Sequence, residues 1–124
     1  METPKKILIV EDENLIVKPL EMKLKISGFE TGVAYDGQEA LDILSKEKYD
    51  LVLLDLMMPK IDGFGVLAEM KKRGDQTPVI VASNLNQMDD ISKALELGVN
   101  SYYVKSNTTL GDIVENIKKA LNIQ

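Results

Sequence analysis

The sequence predicts an α/β fold in which a five-stranded parallel sheet is covered by helices on both faces. Five short apolar runs alternate along the chain with five segments whose apolar residues recur every three or four positions. The runs are apolar on both alternating sets of positions, which is typical of strands buried on both faces. Because strands that alternate with helices favour parallel pairing, a doubly wound, three-layer α/β/α arrangement is expected.

The predicted strands are short and bounded by polar residues. They cover residues 7–10, 33–34, 51–54, 79–82 and 102–104, of which the second and fifth are the weaker predictions. In the helical segments the apolar residues stand at positions 16, 20 and 24, at 40, 41 and 44, at 64, 67 and 68, at 88, 91 and 95, and at 110, 113, 114, 117 and 121.

Helix ends are also marked in the sequence. Three pairs have the spacing of a capping box, in which a first side chain caps the helix and an acid follows three positions later. These pairs are Asp36 with Glu39, Asn86 with Asp89, and Thr109 with Asp112. Gly28 and Gly98 stand where helices are expected to stop.

The composition bounds the function. The 124 residues fit a single domain over 1–124, and 44% of them are apolar, which is enough for a packed core. The chain has no cysteine and no histidine, which excludes zinc sites of thiolate or imidazole and nucleophilic sites that use histidine as the base. A net charge of −5 argues against nucleic-acid binding, and the short apolar runs argue against membrane insertion, so a cytoplasmic protein is expected.

Polar side chains follow four of the predicted strands at one edge of the sheet. Glu11 and Asp12 follow the first strand, Asp55 the third, Ser83 the fourth and Lys105 the fifth. Ligand sites of open parallel sheets lie at this carboxyl edge. Each residue alone has an ordinary interpretation as a helix cap, a turn residue or a solvated lysine. Together, three acids at one edge would repel each other unless a cation lay between them.

The types of ligand indicate the chemistry. Oxygen donors without sulfur or imidazole favour Mg²⁺. A carboxylate beside the cation can then attack phosphorus and form an acyl phosphate. Asp55 is the predicted nucleophile because it ends the central apolar run. Lys105 is expected to offset the charge of the transferring group, and Ser83 to donate a hydrogen bond to it.

Five segments carry a family resemblance. They are residues 7–13 (ILIVEDE), 50–59 (DLVLLDLMMP), 62–63 (DG), 78–83 (PVIVAS) and 102–105 (YYVK). With these segments in order, the chain resembles the receiver domain of bacterial two-component response regulators along essentially its whole length. The resemblance implies a flavodoxin-like fold with five parallel strands and five helices.

The resemblance also implies roles for single residues. Asp55 matches the phosphorylated aspartate. Asp12 matches a direct Mg²⁺ ligand, Glu11 an acid that acts mostly through water, and Met57 the residue whose backbone carbonyl completes the metal shell.

Three further positions match the switch. Ser83 and Lys105 match the hydroxyl and the lysine that contact the phosphate. Tyr102 matches the aromatic residue that moves inward as that hydroxyl closes on the phosphate. The surface formed by the fourth helix, fifth strand and fifth helix is expected to change with it.

The implied donor is a sensor histidine kinase or a histidine phosphotransfer protein. The implied output is contact with a protein target that the sequence does not name, and a phosphorylation-dependent homodimer is left open. The domain is expected to catalyse only its own phosphorylation and dephosphorylation. Either it is a single-domain regulator or it is a piece of a longer protein.

Two positions depart from the family pattern. Ser106 follows Lys105 where the family usually has a proline preceded by a cis peptide bond, so either a trans bond with a rearranged loop or a retained cis bond is expected. Asn84 follows Ser83 where the family prefers a small residue.

Three alternatives remain on the sequence alone. The first is a receiver-like docking module that works without phosphorylation. The second is an enzyme of the haloacid-dehalogenase type, which resembles a motif with a second aspartate where this chain has Met57. The third is a flavin-binding protein, against which the acidic first loop argues because it would repel a flavin phosphate.

Overall fold

The computed structural model describes residues 3–123, which form one five-stranded sheet with helices between the strands. The strands are β1 (Lys6–Val10), β2 (Glu30–Ala34), β3 (Leu51–Leu54), β4 (Val79–Ser83) and β5 (Ser101–Val104). The helices are α1 (Asn14–Ile26), α2 (Gly37–Lys46), α3 (Gly63–Lys72), α4 (Met88–Glu96) and α5 (Leu110–Ala120). Every strand pair is parallel and the strand order is β2-β1-β3-β4-β5, so the predicted flavodoxin-like fold is confirmed.

The alternation of side chains along each strand divides the core into two layers. On one face of the sheet, Ile7 and Ile9 of β1 pack with the buried residues of α1 and α5. On the other face, Leu8 and Val10 pack with buried residues of α2, α3 and α4. All four side chains are at most 1% exposed, so β1 is buried on both faces as its uninterrupted apolar run predicts.

Four of the five observed strands are longer than predicted, and β3 has the predicted bounds. The largest difference is β2, which starts at Glu30 instead of Val33. This strand lies at the edge of the sheet and pairs only with β1, so its first residues are exposed or half-buried and need not be apolar. Among residues 3–123 the longest helix, α1, has 13 residues, and none is long and apolar enough to span a membrane.

Two of the three predicted helix caps are confirmed. The Asp36 side chain accepts a hydrogen bond from the Glu39 N–H, and Thr109 and Asp112 form a complete capping box. The cap at Asn86 is wrong, because α4 begins one residue later with Gln87 at its N-cap, and no side-chain cap bond forms there. Gly28 and Gly98 have φ angles of 96° and 95°, in the left-handed region that favours glycine just after a helix.

These caps give a first stability prediction. Replacing Thr109 with alanine is expected to lower the free energy of unfolding by about 1 kcal/mol, because it removes the capping box of α5. Replacing Asn86 with alanine is expected to change it by less than about 0.5 kcal/mol. Urea denaturation of both variants measures the difference. An equal loss at the two positions would contradict the assignment of the caps.

The peptide bond between Lys105 and Ser106 is trans, which is the first of the two alternatives that the sequence left open. All peptide bonds of the described residues are trans, and Lys105–Asn107 form a single turn of 3₁₀ helix. The Thr108 hydroxyl donates a hydrogen bond of 3.0 Å to the carbonyl oxygen of Val104, which closes this turn against the end of β5. The turn therefore sets the direction in which the Lys105 side chain leaves the strand.

Candidate functional site

Strand register brings the acidic residues together at the carboxyl edge of the sheet. Val10 at the end of β1 pairs with Leu54 at the end of β3, so the residues that follow them lie side by side. The Asp55 N–H donates a hydrogen bond of 3.0 Å to the Val10 carbonyl oxygen, which continues the ladder by one residue. The backbone of two central strands thus holds Asp55 next to Glu11.

Three carboxylates meet at this edge. One oxygen from each of Glu11, Asp12 and Asp55 can be chosen so that all three atoms lie within 4.8 Å of one another. Glu11 and Asp55 are buried, whereas Asp12 is exposed at the mouth of the site. The three acids therefore lie together at the carboxyl edge, as predicted from the sequence, and the order of the strands in the sheet brings them together.

Lys105 enters the same cluster from the end of β5. Its ammonium group bonds to Glu11 Oε1 and lies 3.3 Å from Asp55 Oδ2. Three carboxylates and one ammonium leave the cluster with a formal charge of −2. Like charges this close destabilise each other, so a further positive charge would stabilise the cluster.

The residues present fit a hard divalent cation. All three candidate ligands are carboxylate oxygens, which is the donor type that Mg²⁺ prefers. Ligand atoms at about 2.1 Å from an octahedral Mg²⁺ are at most about 4.2 Å apart, and the three oxygens, which lie within 4.8 Å of one another, are near that range. Asp12 would hold such an ion with Asp55, and the exposed side of the site leaves room for water.

Burial and charge shift the protonation of the paired groups. Burial raises the pKa of the Glu11 carboxyl to about 7, against the hydrogen bond from Lys105, which lowers it. Burial lowers the pKa of the Lys105 ammonium, but its bond to Glu11 and the nearby Asp55 charge outweigh this and raise the pKa above its ordinary value. Lys105 is therefore a fixed positive charge at neutral pH.

A test of this pairing is the replacement of Lys105 by methionine in the metal-free protein. We expect the free energy of unfolding to fall by about 3 kcal/mol at a pH about one unit above the Glu11 pKa, because two buried acids lose their shared cation. About one unit below that pKa the loss is smaller, because folded Glu11 takes up a proton and no longer repels Asp55.

The direction of this pH effect follows from linkage. Glu11 holds its proton up to about pH 7 in the folded chain but loses it near its ordinary value of 4.5 when unfolded, so its contribution to stability falls as the pH rises from about 4.5 through 7. Lys105 lowers the pKa of Glu11, so its removal raises that pKa further, and the wild type and the variant differ most above pH 7. Urea denaturation in the presence of a chelator measures the loss at both pH values. Lys25→Met removes only an exposed pair with Glu21, and is expected to cost less than about 0.5 kcal/mol. Equal losses for the two variants would contradict the buried pairing.

Ser83, at the end of β4, and Tyr102, in β5, both form hydrogen bonds to the backbone of Leu85 in the loop that follows β4. Ser83 is fully buried, and its Oγ accepts a hydrogen bond of 3.3 Å from the Leu85 N–H. The Tyr102 hydroxyl donates a hydrogen bond of 2.6 Å to the Leu85 carbonyl oxygen, and the ring packs with the core layer of α2, α3 and α4. Burial raises the pKa of the Tyr102 phenol above its ordinary value, so the O–H stays protonated and donates.

Met57 lies at the outer side of the site. Its N–H donates a hydrogen bond of 3.3 Å to Asp55 Oδ1, and its side chain is 58% exposed. The described contacts therefore place the Met57 backbone against the Asp55 carboxylate, on the loop where its metal-binding role was predicted.

Two contacts of the site were missed by reasoning from the sequence. The Leu85 backbone joins Ser83 to Tyr102, and a backbone contact leaves no signal in residue types. Gly63 lies directly against Asp55: a Cβ atom there would be 2.6 Å from the Asp55 carbonyl oxygen. The signal for Gly63 was present, since glycine follows the capping residue Asp62 at the start of a helical segment.

Comparison with known proteins places this geometry in context. A family model described as the response regulator receiver domain matches residues 7–118. A curated relative, the probable transcriptional regulator ycf27 of Guillardia theta, is 45% identical over 105 residues, which is 85% of this chain and 41% of the relative. The chain thus spans less than half the length of that relative.

Solved structures of response regulators are also similar to this chain. A CheY-like response regulator receiver domain protein from Methanospirillum hungatei JF-1 is similar with a TM-score of 0.91 and 26% identity, over 97% of this chain and 95% of that one. The phosphorylated cyanobacterial phytochrome response regulator RcpA is similar with a TM-score of 0.83 and 34% identity, over 94% of this chain and 93% of that one.

Proposed function

Because this chain belongs to the response regulator receiver domain family, we propose that it is a signalling switch that accepts a phosphoryl group on Asp55 in a Mg²⁺-dependent reaction. The observation that carries the proposal is the cluster of Glu11, Asp12 and Asp55 with the Lys105 ammonium between two of them. Family membership alone does not require such a cluster, so the close approach of these four charged groups is separate support for the proposal.

In the proposed reaction an oxygen of the Asp55 carboxylate attacks the phosphorus of a phosphohistidine. A phosphorus–oxygen bond forms, the phosphorus–nitrogen bond breaks, and the histidine nitrogen leaves with its electron pair. When bound, Mg²⁺ supplies positive charge that neutralises the phosphoryl oxygens and screens the acids. Asp12, Asp55 and the Met57 carbonyl would hold it, with Glu11 acting through water.

The chain's own groups have distinct proposed tasks. Lys105 provides a fixed positive charge near Asp55 Oδ2, which offsets the charge that builds up during transfer. Ser83 would turn towards the phosphoryl group and donate its O–H to it. In doing so it would give up the hydrogen bond that its Oγ accepts from the Leu85 N–H. Since Tyr102 is bonded to the same Leu85, a movement of this loop would reach the surface of α4, β5 and α5.

The donor and output are part of the proposal. The donor is a sensor histidine kinase or a histidine phosphotransfer protein, and the domain catalyses only its own phosphorylation and dephosphorylation. Relatives described as probable transcriptional regulators support an output in transcription. With a net charge of −5, this domain would act there through protein contact and not by binding nucleic acid itself.

The test is intact mass spectrometry after incubation with acetyl phosphate and Mg²⁺. We expect a gain of about 80 Da, the mass of one phosphoryl group, which disappears with a chelator or in Asp55→Asn. Asp50→Asn is the matched control, since Asp50 lies at the opposite end of β3 and accepts a bond of 2.8 Å from the Lys6 N–H. A folded wild-type protein that gains no mass would favour the docking-module alternative.

A further inference from the structure

A cavity of about 410 Å³ lies behind the acidic cluster, between α1, α5 and the sheet. Ile16 and Leu20 line it from α1, and Leu110 and Ile113 line it from α5. Ala82 of β4 is one of the strand residues that form its floor. The two helices therefore separate near the carboxyl edge of the sheet and leave an apolar space between them.

The rim of this cavity is polar. Glu11, Asp55 and Lys105 line it on the side of the acidic cluster, and Asn84 and Ser106 line it near solvent. Asn84 and Ser106 are exposed, and within residues 3–123 neither side chain makes a hydrogen bond to the protein. An occupant would thus meet apolar walls inside and free hydrogen-bonding groups at the opening.

We propose that this cavity binds a neutral small molecule with a largely apolar body and one hydrogen-bonding group at the opening. The volume falls within the range of about 300–1,000 Å³ for small-molecule sites, which are also mostly apolar with a few polar groups. The polar group of the ligand would bond to Asn84 or Ser106.

The charges at the rim and the apolar walls of the cavity both argue against an ionic ligand. Two carboxylates and one ammonium give the inner rim a formal charge of −1, and the Lys105 ammonium is already bonded to Glu11, so an anion would be repelled. A cation would have to leave water for walls formed by isoleucine and leucine side chains, which is costly without a buried partner. A neutral molecule avoids both penalties.

The site goes beyond the proposed phosphoryl transfer, because its occupant is a different kind of molecule from a phosphoryl donor. The two sites share Lys105, Glu11 and Asp55 along one wall. A molecule in the cavity would therefore touch the pair that holds the Lys105 ammonium in position.

Binding can be measured with indole as the probe, since the protein contains no tryptophan and indole emission can be excited apart from tyrosine. We expect a saturable blue shift of indole emission with a dissociation constant on the order of 0.1–1 mM, as fits a ligand of this size. Indole-3-acetate, which adds a negative charge to the same ring, is expected to bind about tenfold more weakly or worse.

Two variants locate the site. Ala82→Leu fills the floor of the cavity and is expected to weaken indole binding about tenfold or more. Ala68→Leu makes the same change at an exposed position of α3, on the other face of the sheet, and is expected to leave binding unchanged. Circular dichroism checks that both variants fold.

A measurement on the unchanged protein keeps the proposal testable if Ala82→Leu does not fold. Intermolecular nuclear Overhauser effects are expected from indole to the methyl groups of Ile16, Leu20, Leu110 and Ile113. Effects to other methyl groups only, an emission shift that does not saturate, or equal binding by Ala82→Leu would overturn it. All of these measurements use the unphosphorylated protein, so their outcome is separate from that of the phosphoryl-transfer test.

Discussion

Replacing Asp12 with asparagine is expected to remove most of the stabilisation of the protein by Mg²⁺. Even residues that only support metal ligands cost about 10–100-fold in affinity when replaced, so loss of a ligand is expected to cost at least about 100-fold. At a Mg²⁺ concentration about 100 times its dissociation constant, the wild type gains about 2.7 kcal/mol. By the same relation the variant gains only about 0.4 kcal/mol.

The effect on the metal-free protein is expected to have the opposite sign. Glu11 and Asp55 share the Lys105 ammonium, whereas Asp12 has no ion-pair partner among residues 3–123. Removing its charge reduces repulsion within the cluster, so Asp12→Asn is expected to be slightly more stable than the wild type without Mg²⁺. Loss of stability without Mg²⁺ would indicate a structural role for Asp12 instead.

Thermal unfolding with and without Mg²⁺ measures both effects. Glu13→Gln is the matched control, because it removes the neighbouring exposed charge and lies outside the three-acid cluster. It is expected to keep the full gain from Mg²⁺. If Asp12→Asn kept the wild-type gain, the assignment of the cation to this cluster would be wrong.

Replacing Gly63 with alanine is expected to destabilise the protein by about 3 kcal/mol, at the upper end of the usual cost of overpacking. The added Cβ would lie 2.6 Å from the Asp55 carbonyl oxygen and 2.6 Å from the Leu56 Cα atom. Both are backbone atoms of the segment that carries the acceptor, so neither can turn away as a side chain would. The gain of about 1 kcal/mol from alanine's higher helix propensity is smaller than this cost.

The same change is expected to slow phosphorylation of Asp55 by acetyl phosphate, because a shift of about 1 Å in a reacting group can cost about 100-fold in rate. Gly111→Ala is the matched control in α5, where the nearest atom to the new Cβ is Thr109 Oγ1 at 3.8 Å. That variant is expected to be neutral or more stable by up to about 1 kcal/mol. Urea denaturation of the two variants measures the difference in stability. Equal effects would show that the backbone around Gly63 accommodates the added Cβ atom without cost.

The parts of the fold that follow from local patterns could be predicted from the sequence. The buried strands β1, β3 and β4 are continuous apolar runs, and the caps at Asp36 and Thr109 follow from local spacing. The start of β2 could not be predicted, because an edge strand tolerates polar residues. The cap at Asn86 failed because spacing alone does not show which residue leaves the extended conformation first.

The candidate site was predictable in its membership and not in its contacts. The positions of Glu11, Asp12, Asp55, Ser83 and Lys105 follow from strand ends that share one edge of a parallel sheet. The bond from Lys105 to Glu11 could not be predicted, because the sequence left the loop after β5 with either a trans or a cis peptide bond. The cavity beside it depends on how far α1 and α5 separate, and this distance arises only from packing.

The central claim is that Asp55, and no other acid of the cluster, carries the phosphoryl group. Borohydride reduces an acyl phosphate to an alcohol, so it converts a phosphorylated aspartate to homoserine, which tandem mass spectrometry of peptides can locate. After incubation with acetyl phosphate and Mg²⁺, we predict homoserine at position 55 alone. Homoserine at position 12 or at another aspartate, or none in a folded protein that binds Mg²⁺, would contradict the account.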